Sequence, residues 1–347
     1  MMRRCGGTTL IDVLVGLAVG LVSVVVAYQA FVALDTLRRN DAAVADAQAS
    51  GAFALLAMEM QAGNAGAGTA AVGRWLDTCT AGADAASTLR ALDILVTDGG
   101  APERPDSLIV RQSLATTVAM TAAFAGAAPA GSDFHIESPD GFAAGDRIVA
   151  VSRSGSCASA QVIGVGAPVA GVVAIAHTAV TTDFPAGSVL VNLGPATRPA
   201  ALRYDVSSGT LRSTDVMNGD APVPMLSNVA NLKFQYGIDS DGDGALDTWS
   251  GAATSGAWSA PAVLAGSRTT LERIKAVRIG IIIRGELVER DSARDFHWVL
   301  FDCDAADKST CPGRLEGTIV ATAAGSYRYR VFETVVPLRN VIWNRGA

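Results

Sequence analysis

The hydrophobic pattern divides this chain at about residue 63. From Val13 to Leu34 no side chain is formally charged, and at about 1.5 Å per residue this run spans roughly 33 Å, enough to cross a hydrocarbon core of about 30 Å. Apolar residues then continue at helical spacing between charged ones, at Leu34, Leu37, Val44, Ala47, Phe53 and Met60. We predict one helix from about Thr8 to about Gln61, with residues 8–34 in a membrane and residues 35–62 continuing as an amphipathic segment packed on the remaining chain.

Beyond Gly63 the pattern changes to short alternating runs that are typical of strands. These runs are DSLIVRQS from Asp106, DRIVAVS from Asp146, AQVIGVG from Ala160, SVLVNLG from Ser188, KAVRIGIIIRG from Lys275 and YRYRVFETVVPLRN from Tyr327. The segment ALRYDVSSGTLRSTD predicts a hairpin with its turn at Ser207–Gly209. One long helix followed by many strands indicates an α+β fold, in which the helix lies on an antiparallel, β-rich body formed by residues 63–347.

Charge and composition fit a protein with one membrane anchor and an exported body. Arg3 and Arg4 precede the apolar run, and basic residues that flank a span tend to stay in the cytoplasm. The body would then face outward, into an oxidising space. The formal net charge of −6 is spread along the chain, which argues against nucleic acid as a partner.

The cysteine pattern predicts disulfides in that oxidising space. Cys303 and Cys311 are close in sequence and are expected to close a loop, which leaves Cys79 and Cys157 to pair by elimination. A metal site is the alternative, but the chain has neither a CxxC motif nor a histidine cluster near these cysteines.

Asp12 is an unexpected carboxylate at the start of an apolar helix. An ionisable group at the centre of a span costs at least about 2.5 kcal/mol. In one interpretation Thr9 and Asp12 form a capping box, and the helix dipole contributes a further ~0.3–1 kcal/mol. In the other, Asp12 is kept for a positively charged partner in a helical bundle. The two roles are compatible.

The stretch GGTTLIDVLVGLAVGL, from Gly6 to Leu21, resembles the leader and first helix of type IV pilins and secretion pseudopilins. The resemblance implies that residues 1–7 are a leader and that prepilin peptidase cuts between Gly7 and Thr8. Thr8 would become the methylated amino terminus, and Asp12 would meet the terminal amine of a neighbouring subunit during assembly. The chain departs from the family pattern in having Thr8 instead of Phe, and in having Asp12 instead of the longer Glu.

Later blocks resemble the PilW-type minor pilins in particular. These blocks are SGAFALLAMEMQAGNAG, VANLKFQYGIDSDGDGALD, KAVRIGIIIRG and VFETVVPLRN, in that order. The resemblance implies a structural subunit that takes part in priming or assembling a type IV pilus. Its partners would be other minor and major pilins, the peptidase and the inner-membrane assembly machinery. The J-type pseudopilin of type II secretion is the nearest alternative, although a shorter body is expected there.

The segment DSDGDGALD predicts a possible calcium loop. Asp239, Asp241, Asp243 and Asp247 occupy positions 1, 3, 5 and 9 of such a loop, Gly244 would make its sharp turn, and Ala245 would offer a carbonyl oxygen. Ser250 replaces the bidentate Glu at position 12, and the preceding LKFQYGI is typical of a strand rather than a helix. The alternative is a solvated turn between strands.

No catalytic motif accompanies these features. His135, His177 and His297 are far apart, and the chain has no HExxH, GxSxG or P-loop sequence. We therefore expect a structural subunit that is not an enzyme and requires no cofactor other than possible calcium. The competing class is a membrane-tethered calcium-binding adhesin or exported enzyme that uses the helix only as an anchor.

Overall fold

The computed structural model describes residues 10–69, 72, 75, 93–115, 119–137, 140–198, 200–253, 256–289, 294–321 and 326–343. Its first element is α1, a single helix over Leu10–Gly63. The segment Val13–Val32 is long and apolar enough to cross a membrane, and none of it is buried against the body. The predicted α+β fold, with a long helix packed on an antiparallel β-rich body, is confirmed.

The second half of α1 packs on a four-stranded antiparallel sheet of order β13-β12-β14-β17. Its strands are β12 (Val229–Ile238), β13 (Thr248–Gly251), β14 (Ile274–Glu289) and β17 (Ser326–Pro337). The alternation predicted for β14 is confirmed, since Val277, Ile279, Ile281 and Ile283 are all buried in the main core. This sheet is called the helix sheet below.

The helix contacts this sheet through small residues, and the predicted contact face was wrong in part. Phe53 and Met60, two of the predicted positions, are 70% and 61% exposed. The buried positions are Ala47, Gly51, Ala54, Met58 and Ala62. A Cβ atom on Gly51 would lie 2.4 Å from the ring of Phe332, so this helical glycine lets an aromatic side chain of the sheet approach the helix backbone.

A second, five-stranded antiparallel sheet completes the main core in the order β1-β2-β9-β10-β11. Its strands are β1 (Ile94–Thr97), β2 (Ser107–Arg111), β9 (Ala201–Ser207), β10 (Thr210–Asp215) and β11 (Val223–Leu226). The hairpin predicted at Ser207–Gly209 is present as β9 and β10. Apolar side chains of this sheet, of the helix sheet and of α1 share one core.

Residues 119–195 form a separate barrel between β2 and β9. Its strands are β3 (Thr121–Ala123), β4 (Phe134–Ile136), β5 (Asp146–Val151), β6 (Cys157–Val165), β7 (Val173–His177) and β8 (Val189–Pro195). They follow the order β3-β8-β5-β6-β7-β4, and a bridge between Phe124 and Ile136 joins the two outer strands. Arg111 and Ala201, which flank the barrel, are paired directly across β2 and β9. The barrel is thus inserted into a hairpin of the main body and has a core of its own.

A hairpin and several short helices complete the described fold. The hairpin consists of β15 (Phe296–Leu300) and β16 (Leu315–Ile319). The short helices are α2 (Ala260–Ala265), α3 (Arg268–Leu271) and α4 (Arg339–Trp343), with one 3₁₀ turn at Lys308–Thr310. The 3₁₀ turn lies inside the loop that joins β15 to β16.

Candidate functional site

The residues that the sequence assigns to processing and assembly lie at the free end of α1. Asp12 belongs to the first turn of this helix, which begins at Leu10. Gly7 and Thr8 lie outside the described residues, as does the side chain of Asp12. Their roles therefore stay predictions.

Beyond the apolar span, α1 carries an exposed stripe on the side opposite the body. Its members are Ala42, Ala45, Ala49, Phe53, Leu56 and Met60, which fall on one face at about 100° per residue. Phe53, Leu56 and Met60 are 70%, 53% and 61% exposed. Small residues followed by large apolar ones on an exposed helix face are typical of a surface that packs against another helix.

The acidic loop between β12 and β13 brings three of its four carboxylates together. Asp239, Asp241 and Asp247 each offer an oxygen atom within 4.8 Å of the others. Asp243 is not part of this group, and its Oδ1 accepts a hydrogen bond from the amide of Ala245 at 2.6 Å. The Oδ2 of Asp247 accepts two hydrogen bonds from Ser240, one from the amide and one from the hydroxyl, both at 2.6 Å.

Asp239 is the buried member of this cluster, and a lysine supplies its counter-charge. Its side chain is 1% exposed and lies 3.4 Å from the Nζ of Lys275. Burial opposes ionisation, but hydrogen bonds from the Gly242 and Gly244 amides and the charge of Lys275 outweigh it and lower the pKa of Asp239. Lys275 was missed at the level of sequence because it lies 36 positions after Asp239, at the start of an alternating strand.

The predicted disulfide between Cys303 and Cys311 is present in the loop between β15 and β16. Cys157 is also disulfide-bonded, while Cys79, the partner expected for it, lies outside the described residues. The loop that this bridge closes lies on the helix sheet, where Gly313 accepts a hydrogen bond from Gln235 of β12.

Arg278 fastens this loop to the helix sheet. Its guanidinium lies 4.7 Å from the Trp249 ring centroid and 4.4 Å from that of Phe301, and it donates to the Pro312 carbonyl at 2.7 Å. Desolvation lowers the pKa of Arg278 to about 10 although Glu333 opposes the shift, so the side chain stays cationic at neutral pH. The contact is a cation–π arrangement with hydrogen bonds to a loop, and its role is structural.

The histidines have structural surroundings. His177 stacks on Phe134 with ring centroids 3.8 Å apart, and its Nδ1 lies 2.7 Å from the Thr178 carbonyl oxygen. His297 contacts the Thr318 hydroxyl at 2.8 Å. In the described part of the chain, only the cluster of Asp239, Asp241 and Asp247 brings together three side chains of the kinds that hold metals.

A long apolar N-terminal helix laid on an antiparallel body is the arrangement that the resemblance to pilins predicts. Residues 202–340 match the family model of the type IV pilus-assembly protein W. This confirms the resemblance to the PilW type over the helix sheet, β9–β11 and the disulfide hairpin. Over residues 202–340 the chain is therefore similar to type IV pilus-assembly proteins.

Other comparisons add little to this assignment. The chain is similar to a type IV-like pilin from Thermus thermophilus, with 12% identity, 57% of this chain and 86% of the other covered, and a TM-score of 0.24. No curated protein matches. The barrel of residues 119–195 precedes the segment that matches the family model.

Proposed function

We propose that this chain is a minor pilin that takes part in priming and assembling a type IV pilus. Prepilin peptidase cuts it between Gly7 and Thr8, Thr8 becomes its methylated amino terminus, and the subunit waits in the inner membrane with its body in the periplasm. Its partners are other minor and major pilins and the inner-membrane assembly machinery.

The observation that carries this proposal is the surface of α1. No part of Val13–Val32 is buried in the body, and the exposed apolar stripe continues on the same helix as far as Met60. A simple anchor needs apolar surface only inside the lipid, because apolar side chains gain nothing from exposure to water. A helix that leaves the membrane to pack among other helices needs that surface along its whole length.

N-terminal sequencing of the mature protein tests the proposal. We expect the sequence to begin at Thr8, with a methylated amine, and we expect Gly7→Leu to leave the leader uncut because a bulky side chain replaces the residue before the cut. A deletion strain should have fewer pili. An uncut wild-type N-terminus together with normal pili in that strain would show that α1 is an anchor for another function.

We further propose that the acidic loop is a weak calcium site that Lys275 partly occupies. The convergence of Asp239, Asp241 and Asp247 supports this second role, since three carboxylates within 4.8 Å repel one another unless a cation lies among them. The Lys275 ammonium provides one such charge from the inner side of the loop. Calcium would add its charge from the exposed side, where Asp241 and Asp247 lie.

Isothermal titration calorimetry with the full chain in detergent measures the calcium affinity of this loop. We expect calcium to bind with a dissociation constant on the order of 0.1–1 mM, Asp241→Ala to remove the signal, and Lys275→Met to strengthen binding because Asp239 loses its present counter-charge. Asp220→Ala, at an exposed carboxylate outside the loop, is the control and should change nothing. No calcium signal in either wild type or Lys275→Met would mean that the loop is a turn that Lys275 neutralises by itself.

A further inference from the structure

A cavity of about 560 Å³ opens at one end of the helix sheet. It lies between the β9–β10 turn, the β11–β12 turn, β14, β16 and the first half of β17. Apart from two charged residues, its polar lining consists of hydroxyl and amide groups, at Ser208, Thr210, Ser227, Asn228, Thr318 and Tyr329. A concave site with several convergent hydrogen-bonding groups is suited to a polar ligand.

Arg284 supplies the positive charge of this cavity and is held in place. Its Nη2 donates to the Asn228 side-chain oxygen at 2.8 Å, and its guanidinium lies 4.4 Å from the Tyr327 ring centroid. Its Nε is buried and has no hydrogen-bond acceptor among the described residues. The guanidinium is therefore held in a fixed orientation, and a fixed arginine fork is suited to binding a carboxylate.

Glu103 is the acidic residue that lines the cavity. Its side chain is exposed, whereas Arg284 is half-buried. The carboxylate of Glu103 can therefore turn toward solvent when a second carboxylate enters, and the fixed charge of the cavity is that of Arg284.

The two turns beside Arg284 each contain a residue other than glycine with a positive φ. Ser208 and Asn228 have φ values of 49° and 61°, in the left-handed region that residues other than glycine rarely adopt. Ser208 and Gly209 form the two-residue turn of the β9–β10 hairpin, where positive φ is usual, and asparagine adopts this region more readily than most residues. Both residues line the cavity.

The cavity lies at the end of the body that faces the membrane segment of α1. Gly63 is next to Val336, and Gly51 is next to Phe332, so the start of β17 lies toward the N-terminal half of the helix. Tyr329 and Arg284 are paired three residues beyond Phe332 in that direction. The acidic loop lies at the opposite end, since Asp239 pairs with Lys275, about 30 Å from Arg284 along β14.

We propose that the cavity receives a carboxylate from an acidic loop at the distal end of an adjoining pilin subunit. This inference rests on the proposed assembly function. Subunits taken from the same membrane have parallel helices. When one subunit is displaced along the helix axis relative to its neighbour, the end of its body that is nearer the membrane segment meets the opposite, distal end of the neighbouring body. Such a head-to-tail contact joins two different surfaces and continues along a fibre. In this chain the distal end of the body carries the acidic loop of residues 239–247, which is an example of the carboxylates that such an end can present.

Fluorescence polarisation with a labelled DSDGDGALD peptide tests the cavity. The full chain is held in detergent with a chelator, so that calcium cannot occupy the peptide. We expect saturable binding that salt weakens, at least tenfold weaker binding to Arg284→Gln, and weaker binding to Ser227→Asp, which adds an exposed negative charge at the cavity. Glu103→Gln should bind more tightly, because it removes the competing carboxylate.

Two controls separate this contact from general charge attraction. Arg330→Gln removes an exposed positive charge from the neighbouring strand β17, outside the cavity lining, and should change affinity less than twofold. The peptide NSNGNGALN, which lacks the carboxylates, should not bind. The proposal would be overturned if both peptides bound with equal affinity. It would also be overturned if Arg284→Gln and Arg330→Gln reduced the affinity for the acidic peptide equally.

The result can be separated from that of the assembly proposal. The peptide assay uses purified protein and does not depend on whether the leader has been cut or whether pili form. A chain that is processed and needed for pili but does not bind the peptide would reject the cavity contact alone. The midpoint temperatures of thermal unfolding should be the same in the variants and the wild type. If Arg284→Gln is unstable, Ser227→Asp tests the cavity at an exposed position instead.

Discussion

Replacing Asp12 by Ala is expected to reduce pili per cell tenfold or more while leaving the cut between Gly7 and Thr8 largely intact. A hydrogen bond to a charged partner contributes about 1.5–3 kcal/mol, which corresponds to a factor of ten or more in an equilibrium. Capping and the helix dipole provide only ~0.3–1 kcal/mol to a carboxylate at a helix start. Counting pili by electron microscopy, with sequencing of the mature N-terminus, measures both effects.

Two variants show whether charge or capping is responsible. Asp12→Glu keeps the carboxylate and should assemble, because Glu is the residue usual at this position in the type IV pilins that the N-terminal stretch resembles. Thr9→Ala removes the proposed cap and leaves the charge, so only a small reduction is expected. Wild-type pilus numbers in Asp12→Ala would show that Asp12 is merely a helix cap.

Replacing Lys233 by Met is expected to destabilise the body by about 3–5 kcal/mol, because it leaves a buried carboxylate without its partner. Lys233 and Asp106 are 3% and 6% exposed, and their Nζ and Oδ1 atoms are 2.8 Å apart. Asp106 also accepts hydrogen bonds from the amides of Gly99 and Phe234. Urea unfolding of the full chain in detergent measures the loss.

The destabilisation should depend on pH in a defined direction. Desolvation already raises the pKa of Asp106, against the opposing effect of Lys233, and removing the lysine raises the pKa further. The folded variant then binds a proton that the unfolded chain releases, so its stability falls as pH rises from the unfolded value toward the folded one. The deficit relative to wild type should therefore be smaller at pH 5 than at pH 8.

Matched variants test this interpretation of the Lys233 result. Lys308→Met removes the lysine of an exposed pair, in which Lys308 and Asp302 are 47% and 46% exposed, and should cost less than about 1 kcal/mol. Asp106→Asn in the Lys233→Met background keeps an oxygen acceptor and removes the uncompensated charge, so part of the stability should return. Equal losses of unfolding free energy in Lys233→Met and Lys308→Met would show that the buried pair contributes no more to stability than the exposed pair.

The helix and the strands of the family-matching segment could be predicted because local patterns determine them. The uncharged run from Val13 to Leu34 and the alternation in β14 each repeat with the period of their element. The hairpin turn at Ser208 and Gly209 was predictable for a similar reason, since turn residues lie between alternating runs. The barrel strands at Asp146 and Ser188 were also found, but their assembly into a separate barrel was not.

The contact face of α1 could not be predicted from periodicity. A search for large apolar residues selects Phe53 and Met60, which are exposed, and passes over Gly51 and Ala54, which are buried. At Gly51 the sheet approaches so closely that no larger side chain fits, because the ring of Phe332 occupies the space above it. A periodic pattern shows which residues share a face, but not which of two faces the body covers.

The sequence by itself determined that this protein has one apolar N-terminal helix with a carboxylate at its start, a β-rich body, a loop closed by a disulfide and an acidic turn. Each of these features depends on residues that are close together along the chain. Only the tertiary structure decided which face of the helix is buried, that a barrel is inserted between Arg111 and Ala201, that Lys275 neutralises Asp239 and that Arg284 lies in a cavity. Each of those features joins residues that are distant in sequence. The distances between these residues are set by how the sheets pack together.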